Sequence, residues 1–318
     1  MEAVAIGELL IDFTPEGRGD GKEGHVAFLR NPGGAPANVM AALTKWGIQT
    51  AMIAKIGDDP LGHYLKGVLQ EAGVNTDGVV LTQEAPTTLA FVHLDKTGDR
   101  SFHFYRNPGA DCLLRPEEIN RDQITRARIF HYGSISKTHE PAASATRYAV
   151  RTAKESGALI SYDPNLRLPL WESETCAKQT LLEGFSDADI LKLSEEELLF
   201  LTGINDPIEG TKYIYDTYGT RLILITLGAL GSFYRYGTLF GIHPGFQVEV
   251  VDTTGAGDAF LAGVLFCVLE KGGIDGWSKG ELERLLSFAN ASGALTTCSK
   301  GAIPALPSVT AIRNLTME

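Results

Sequence analysis

The sequence predicts an α/β fold: a central, mostly parallel sheet flanked by helices on both faces, with a small β-sheet beside it. Three observations lead there. Short apolar runs alternate with helical stretches along most of the chain. Residues 87–106 depart from that alternation and read as a half-buried antiparallel hairpin. Of the 318 residues, 44% are hydrophobic and 21% charged, a balance that supports one large core and excludes a disordered chain.

Taken in order, Ala3 to Gly7 reads as a buried strand, followed by a polar, glycine-rich stretch from Pro15 to Gly24. From Gly33 a glycine turn opens a helix that reaches Trp46 and stops at Gly47. Residues 51–57 read as a strand and 60–73 as a helix closed by Gly73. Strands at 129–133, 159–163, 190–193 and 222–228 alternate with helices near 140–156, near 174–184 and from Glu195 to Gly203. The hairpin turns at Asp95–Asp99, and on its second strand Phe102 and Phe104 alternate with His103 and Tyr105. Residues 25–30 read as a strand of the same kind, 246–251 as a strand, and 288–302 as a helix ending near Gly301. No repeat or linker divides the chain. Residues 1–12, 31–86 and 107–318 are expected to form the α/β core, with 13–30 and 87–106 as the projecting sheet. That sheet could be a lid over a pocket or a surface hairpin without a role.

A net charge of −11 disfavours nucleic acid and anionic membranes as partners, though a local basic pocket for a small anion stays open. The four cysteines have neither CxxC nor zinc spacing, which suits a reducing compartment. The start MEAVAIGELLID lacks the basic and long apolar regions of a signal peptide, and no apolar run reaches membrane-spanning length. A soluble, cytoplasmic protein is expected.

The most informative stretch is DTTGAGDAF, Asp252 to Phe260, which leads into the apolar helix LAGVLFCVLE. Gly255, Ala256 and Gly257 therefore sit where the chain enters a helix. Small side chains there let backbone N–H groups approach an anion, and the helix terminus favours negative charge. Asp258 has two readings. It could be an acid complementing the helix dipole, or a general base beside a phosphate cradle, taking a proton from an attacking hydroxyl. The stretch is not a GxxxxGK[ST] loop, and no GxGxxG follows the first strand, which disfavours a dinucleotide redox protein.

DTTGAGDAF resembles the C-terminal signature of the ribokinase, or PfkB-type, carbohydrate kinases. NPGGAPANVMAALTKWG (31–47) with IGDDPLG (56–62) resembles that family's other signature, more than 200 residues away and in the expected order. FYRNPGADCLL (104–114) and DPNLRLPLW (163–171) are most similar to the fructokinase branch, the second also to 2-keto-3-deoxygluconate kinases. The resemblance spans essentially the whole chain. It implies a ribokinase-like fold with a β lid over the sugar, and ATP-dependent phosphorylation of a sugar hydroxyl with Mg2+ and, in many members, a stimulating monovalent cation such as K+. D-fructose phosphorylated at its 6-hydroxyl is the leading expectation. 2-Keto-3-deoxygluconate or another furanose-like sugar is the alternative, and a non-catalytic sugar or nucleotide sensor a distant one.

The resemblance also implies roles by position. Asp258 matches the base, and Gly255, Ala256 and Gly257 the anion hole. Asp12, Gly33, Gly34 and Asn38 match the sugar-binding acid and turn, although Asp12 could be a turn former and Asn38 a polar residue of a first helical turn. Arg106 is expected to reach over the pocket, or to be a surface arginine. Arg167 matches residues near sugar or phosphate, and Asn165 residues near the nucleotide phosphates or their metal, unless 163–165 is an ordinary turn. Thr226, Gly228 and Gly231 resemble the ATP-binding turn. Asn290 would neighbour the adenine, or serve as a core-helix asparagine. Ser194 and Glu197 fall on the family's N-x-x-E element, which organises Mg2+. Serine stands where asparagine is usual, and the acids could equally complement a helix dipole. Asp252, Thr254, Ser299 and Gly301 occupy the monovalent-cation positions. The apolar strand at Phe102–Phe104 would be stabilised by pairing, so a lid-mediated homodimer is expected.

Overall fold

The computed structural model describes residues 1–15, 27–94 and 100–317, with the backbone alone at 93–94 and 100–102. The Asp95–Asp99 turn and residues 16–24 of the glycine-rich stretch lie outside them, as do residues 25 and 26 of the strand expected at 25–30.

In chain order the strands are β1 (Ala3–Ile6), β2 (Leu10–Pro15), β3 (Phe28–Gly33), β4 (Thr50–Gly57), β5 (Asn75–Thr82), β6 (Leu89–Leu94), β7 (Arg100–Tyr105), β8 (Ile129–Tyr132), β9 (Leu159–Tyr162), β10 (Ile190–Ser194), β11 (Leu222–Thr226), β12 (Gly231–Tyr236) and β13 (Leu239–Pro244). The helices are α1 (Ala35–Lys45), α2 (Pro60–Glu71), α3 (Arg121–Thr125), α4 (Ala142–Glu155), α5 (Glu174–Glu183), α6 (Glu195–Thr202), α7 (Pro207–Tyr218), α8 (Ala256–Lys271), α9 (Lys279–Thr296) and α10 (Val309–Met317).

Nine strands make the main sheet in the order β13-β12-β11-β10-β9-β8-β1-β4-β5. Every pairing from β11 to β5 is parallel, and the β12–β13 hairpin closes one edge antiparallel. All residues of β1 and β4 are buried, as a parallel sheet covered on both faces requires. Two apolar layers sandwich it. Met40, Leu43, Leu65, Leu265 and Leu285 lie on the side of α1, α2, α8 and α9. Ala149, Leu181, Leu198 and Ile214 lie on the side of α4 to α7. A second sheet, β3-β2-β6-β7, stands beside this body.

Two sequence expectations need correcting. Residues 246–251 join no sheet. Phe246, Gln247, Val248 and Val250 line one cavity instead, while β13 already occupies the sheet edge. The helix expected to end near Gly301 ends at Thr296. Beyond it the Thr297 carbonyl accepts the N–H groups of Val251 and Asp252 at 2.8 and 3.0 Å, which draws the chain out of the helix.

Candidate active site

Among the described residues, two cavities at the C-terminal ends of the parallel strands, where open α/β sheets place their ligand crevice, meet at the head of α8, and a third of about 360 Å³, lined by Asn165, Arg167, Lys192, Ser194 and Glu197 among others, lies beside them. The first, of about 270 Å³, is lined by Glu8, Asp12, Gly34, Asn38, Phe104, Asn165, Arg167, Lys192, Gly255 and Asp258 among others. The second, of about 380 Å³, is lined by Thr226, Gly228, Gly231, Phe246, Val248, Val250, Asn290 and Ala256 among others. Thr253 and Gly257 belong to both walls. The turn at the head of α8 is thus the partition between a polar cavity and a more apolar one.

The turn's geometry requires Gly255. Gly255 has φ 78°, and a Cβ there would lie 2.6 Å from the Ala302 Cβ. A Cβ on Gly257 would meet the Lys192 Nζ at 3.3 Å. Asp258 stands in the first turn of α8 and accepts a hydrogen bond from Asn38 Nδ2 at 2.7 Å, joining two helices 220 positions apart. Burial pushes its carboxyl up to about 6; the Asn38 bond, Lys192 and Arg167 pull down, and Asp163 pushes up. A carboxyl so poised exchanges its proton near neutral pH, as a general base must.

On the sugar-expected side, Asp12 lies over Gly33, where any side chain would collide with its carboxylate. Gly34, at φ 116°, runs against the Glu8 carbonyl in the same way. Asn165 has φ 47°, the one non-glycine in the left-handed region among the described residues. Asparagine tolerates that region well, and the Asn165 N–H donates to Asp163 Oδ1 at 3.2 Å. Arg167 is half-buried on the same wall.

Several expected ligands are committed elsewhere. Arg106 does not reach over the pocket. Its Nε and Nη2 lie 2.7 Å from Asp111 Oδ2 and Nη2 donates to the Ile135 carbonyl at 3.1 Å, both buried at the base of the small sheet, and Nη1 donates to the half-buried Thr138 Oγ1 at 2.7 Å. Glu197, expected at the metal, turns inward: Oε1 accepts the Leu166 N–H at 2.7 Å and Oε2 the Ser194 N–H at 2.8 Å. Ser194 caps α6 by accepting the Glu197 N–H. Among the described residues no cluster of three or more His, Cys, Asp or Glu could hold a metal ion.

On the other side, Thr226, Gly228 and Gly231 follow β11 along the second cavity, and Asn290 donates to the carbonyls of His243 and Pro244 at 3.2 Å each. Asp252 gathers the expected cation positions. Its Oδ1 accepts the N–H and hydroxyl of Thr254, and its Oδ2 the Gly301 N–H at 2.9 Å, while Ser299 is exposed nearby in the chain. Two charged residues of the first cavity were not singled out from the sequence, Glu8 and Lys192. Each is a buried charge in an apolar strand or its end, and that mismatch was their available signal. Burial pushes the Glu8 carboxyl up to about 7, while its Oε1 accepts the Ala35 N–H at 2.9 Å.

The chain matches the pfkB family carbohydrate kinases over residues 2–309. It belongs to that family. Among similar proteins, a probable fructokinase-4 of Arabidopsis thaliana is 46% identical over 312 residues, covering 98% of this chain and 95% of its own. A fructokinase with bound ATP from Xylella fastidiosa superposes with a TM-score of 0.89 at 35% identity, over 99% of this chain and 98% of that one. A Vibrio cholerae O395 fructokinase double mutant in its fructose-, ADP- and potassium-bound form superposes with a TM-score of 0.90 at 32% identity, with the same coverage. The pfkB kinases are phosphotransferases, and the partition described above lies between two cavities suited to an acceptor and a donor.

If Asp258 is the base of this pfkB kinase, it must be ionised to accept a proton, and kcat/KM should fall as pH drops through about 6. Asn38→Ala removes a bond that holds the ionised form and should move that acid limb to higher pH, which a pH–rate profile checks. Asp258→Asn should lower kcat by about 10²- to 10⁴-fold in a steady-state assay. Because the fold raises this carboxyl's pKa, its ionisation costs stability as pH rises through about 6, so the same variant should melt higher than wild type above that pH.

Proposed function

We propose that the protein transfers the γ-phosphoryl group of ATP to the 6-hydroxyl of D-fructose. The observation that carries this reading is Gly257 in both cavity walls with Asp258 beside it: donor and acceptor meet across one turn. The fructokinase relatives and the fructose- and ADP-bound neighbour support the choice of sugar.

In the transfer, the sugar hydroxyl oxygen forms a bond to the γ-phosphorus as the bond to the bridging oxygen breaks. The hydroxyl proton passes to Asp258, and the bridging oxygen leaves with its electron pair as part of ADP. Backbone N–H groups at 255–258 meet the charge on the migrating phosphoryl group. Asp12 and Asn38 hold the sugar's hydroxyls, and Gly33 and Gly34 admit it close to the backbone. Thr226, Gly228, Gly231 and Asn290 border the nucleotide.

Among the described residues no donor set forms a protein cage for Mg2+, and the Glu197 oxygens are taken by the backbone. Mg2+ is therefore expected on the phosphate oxygens, whose charge it neutralises. Asp252 ties residues 254 and 301 to one carboxylate, and carbonyls at 252, 254, 299 and 301 would hold K+.

The small sheet acts as a lid, with Asp12 and Phe104 on the cavity side. Arg106 anchors its base to Asp111. The other face presents Phe13 stacked on Phe91 at 4.9 Å, with Phe28 and Tyr105 edge-on to Phe91 at 5.4 and 5.5 Å. Tyr105 is 60% exposed. This aromatic face, rather than Phe104, is the surface for a lid-mediated homodimer. Four free cysteines suit the cytoplasm.

Sugar-dependent ADP release over a panel of ketoses, aldoses and 2-keto-3-deoxygluconate tests the reaction. Fructose should give the highest kcat/KM; preference for the keto-acid, or no turnover of any hexose, contradicts it. Sedimentation should show a dimer that Tyr105→Asp converts to monomer, whereas a wild-type monomer contradicts the lid interface.

A further inference from the structure

Lys192 is unexplained by the reading so far. On β10, Leu191 and Leu193 enter one apolar layer, and Ile190 enters the layer shared with α8. Strand alternation therefore sends Lys192 toward α8. Its side chain is 9% exposed, a rare location for an ammonium unless it is paired or used. It is paired: Nζ lies 3.0 Å from Asp163 Oδ2. Burial disfavours the charge, yet Asp163, Glu197 and Asp258 outweigh burial and hold Lys192 protonated.

A counterion for Asp163 could sit anywhere along that carboxylate. This one sits at the partition. Its Nζ is 3.3 Å from the position a Gly257 Cβ would take, in the space that glycine leaves open. Lys192 also lines the 270 Å³ cavity together with Asp258, Gly255 and Gly257. Around it stand three carboxyls, Asp163, Glu197 and Asp258, with Arg167 at the rim. A phosphoryl group crossing Gly257 would meet this negative field with one buried positive charge directly beneath it.

We propose that Lys192 is a further catalytic residue of the transfer, an ammonium held by Asp163 against Gly257 that contacts the terminal phosphate oxygens of the nucleotide as they cross between the cavities. This rests on the kinase reading above but not on the identity of the sugar. Asp163 is then a positioning residue with two duties, fixing the ammonium and turning the Asn165 backbone. As a compact point charge on a flexible stem, lysine suits a phosphate that moves.

The test compares nucleotides that differ in the terminal phosphates. Affinities for AMP-PNP and for AMP are measured by calorimetry on wild type, Lys192→Met and the Lys192→Met/Asp163→Asn double variant. The single variant strands a buried carboxylate and can fail to fold; the double variant removes both charges and keeps the assay meaningful. In the folded variant, AMP-PNP affinity should drop about tenfold or more while AMP affinity stays within about twofold, because only a charge-assisted contact to the terminal phosphates is lost. The kcat should fall by about 10²- to 10³-fold, the scale of losing one transition-state donor. An unchanged ratio of AMP-PNP to AMP affinity in the folded double variant, with kcat within about threefold of wild type, overturns the assignment. A wild-type protein inactive on fructose would overturn the sugar reading while leaving the nucleotide comparison to judge Lys192.

Discussion

One carboxylate at the head of one buried helix constrains the rest of the molecule. From Ala259 to Phe266 every residue of α8 is buried, so the helix can only lie inside the body, and its first turn can only open into the interior crevice. The glycines before Asp258 follow from that position. Gly255 must pass the Ala302 backbone, and Gly257 lies close against the Lys192 ammonium. Asn38 then reaches from α1 to fix the carboxylate's orientation. The acid is held where desolvation raises its pKa to about 6, a local cost in stability that suits the base role proposed for it.

Around this point the fold supplies two rigid supports. One is the loop 163–167, tied down by Lys192 to Asp163, by Asp163 to the Asn165 N–H, and by Glu197 to the Leu166 N–H. The left-handed backbone at Asn165 persists because these three bonds determine it. The other is the buried Arg106–Asp111 pair, with Thr88 also bonded to Asp111, where the small sheet joins the main body. Breaking either pair would leave a buried charge unmatched, which is why such pairs fix geometry more than they add net stability.

Much of this was legible in the sequence, for identifiable reasons. Parallel strands such as β1 and β11 are uniformly apolar and bounded by glycine or polar residues, so they announce themselves. The turn at Gly255–Asp258 was legible because small residues before an apolar helix have few other uses. The 246–251 segment misled because β13 already fills the sheet edge, so its apolar residues line a cavity instead of pairing. The true edge, β12–β13, has exposed Phe240 and Ile242 and weak alternation. Arg106 and Glu197 misled in a different way. A sequence gives a side chain's reach but not its partners, and Asp111 and the Leu166 and Ser194 N–H groups claimed them. Lys192 and Glu8 were hidden because a charge in an apolar run gains meaning only when its neighbours across the fold are known.

The most direct measurement is a crystal structure of the complex with fructose and AMP-PNP. The account predicts an Asp258 carboxylate oxygen within hydrogen-bond distance of the 6-hydroxyl, in line with a terminal phosphate resting on the amides of residues 255–258. A complex in which Asp258 faces away from the sugar, or in which the terminal phosphate lies far from that turn, would contradict it.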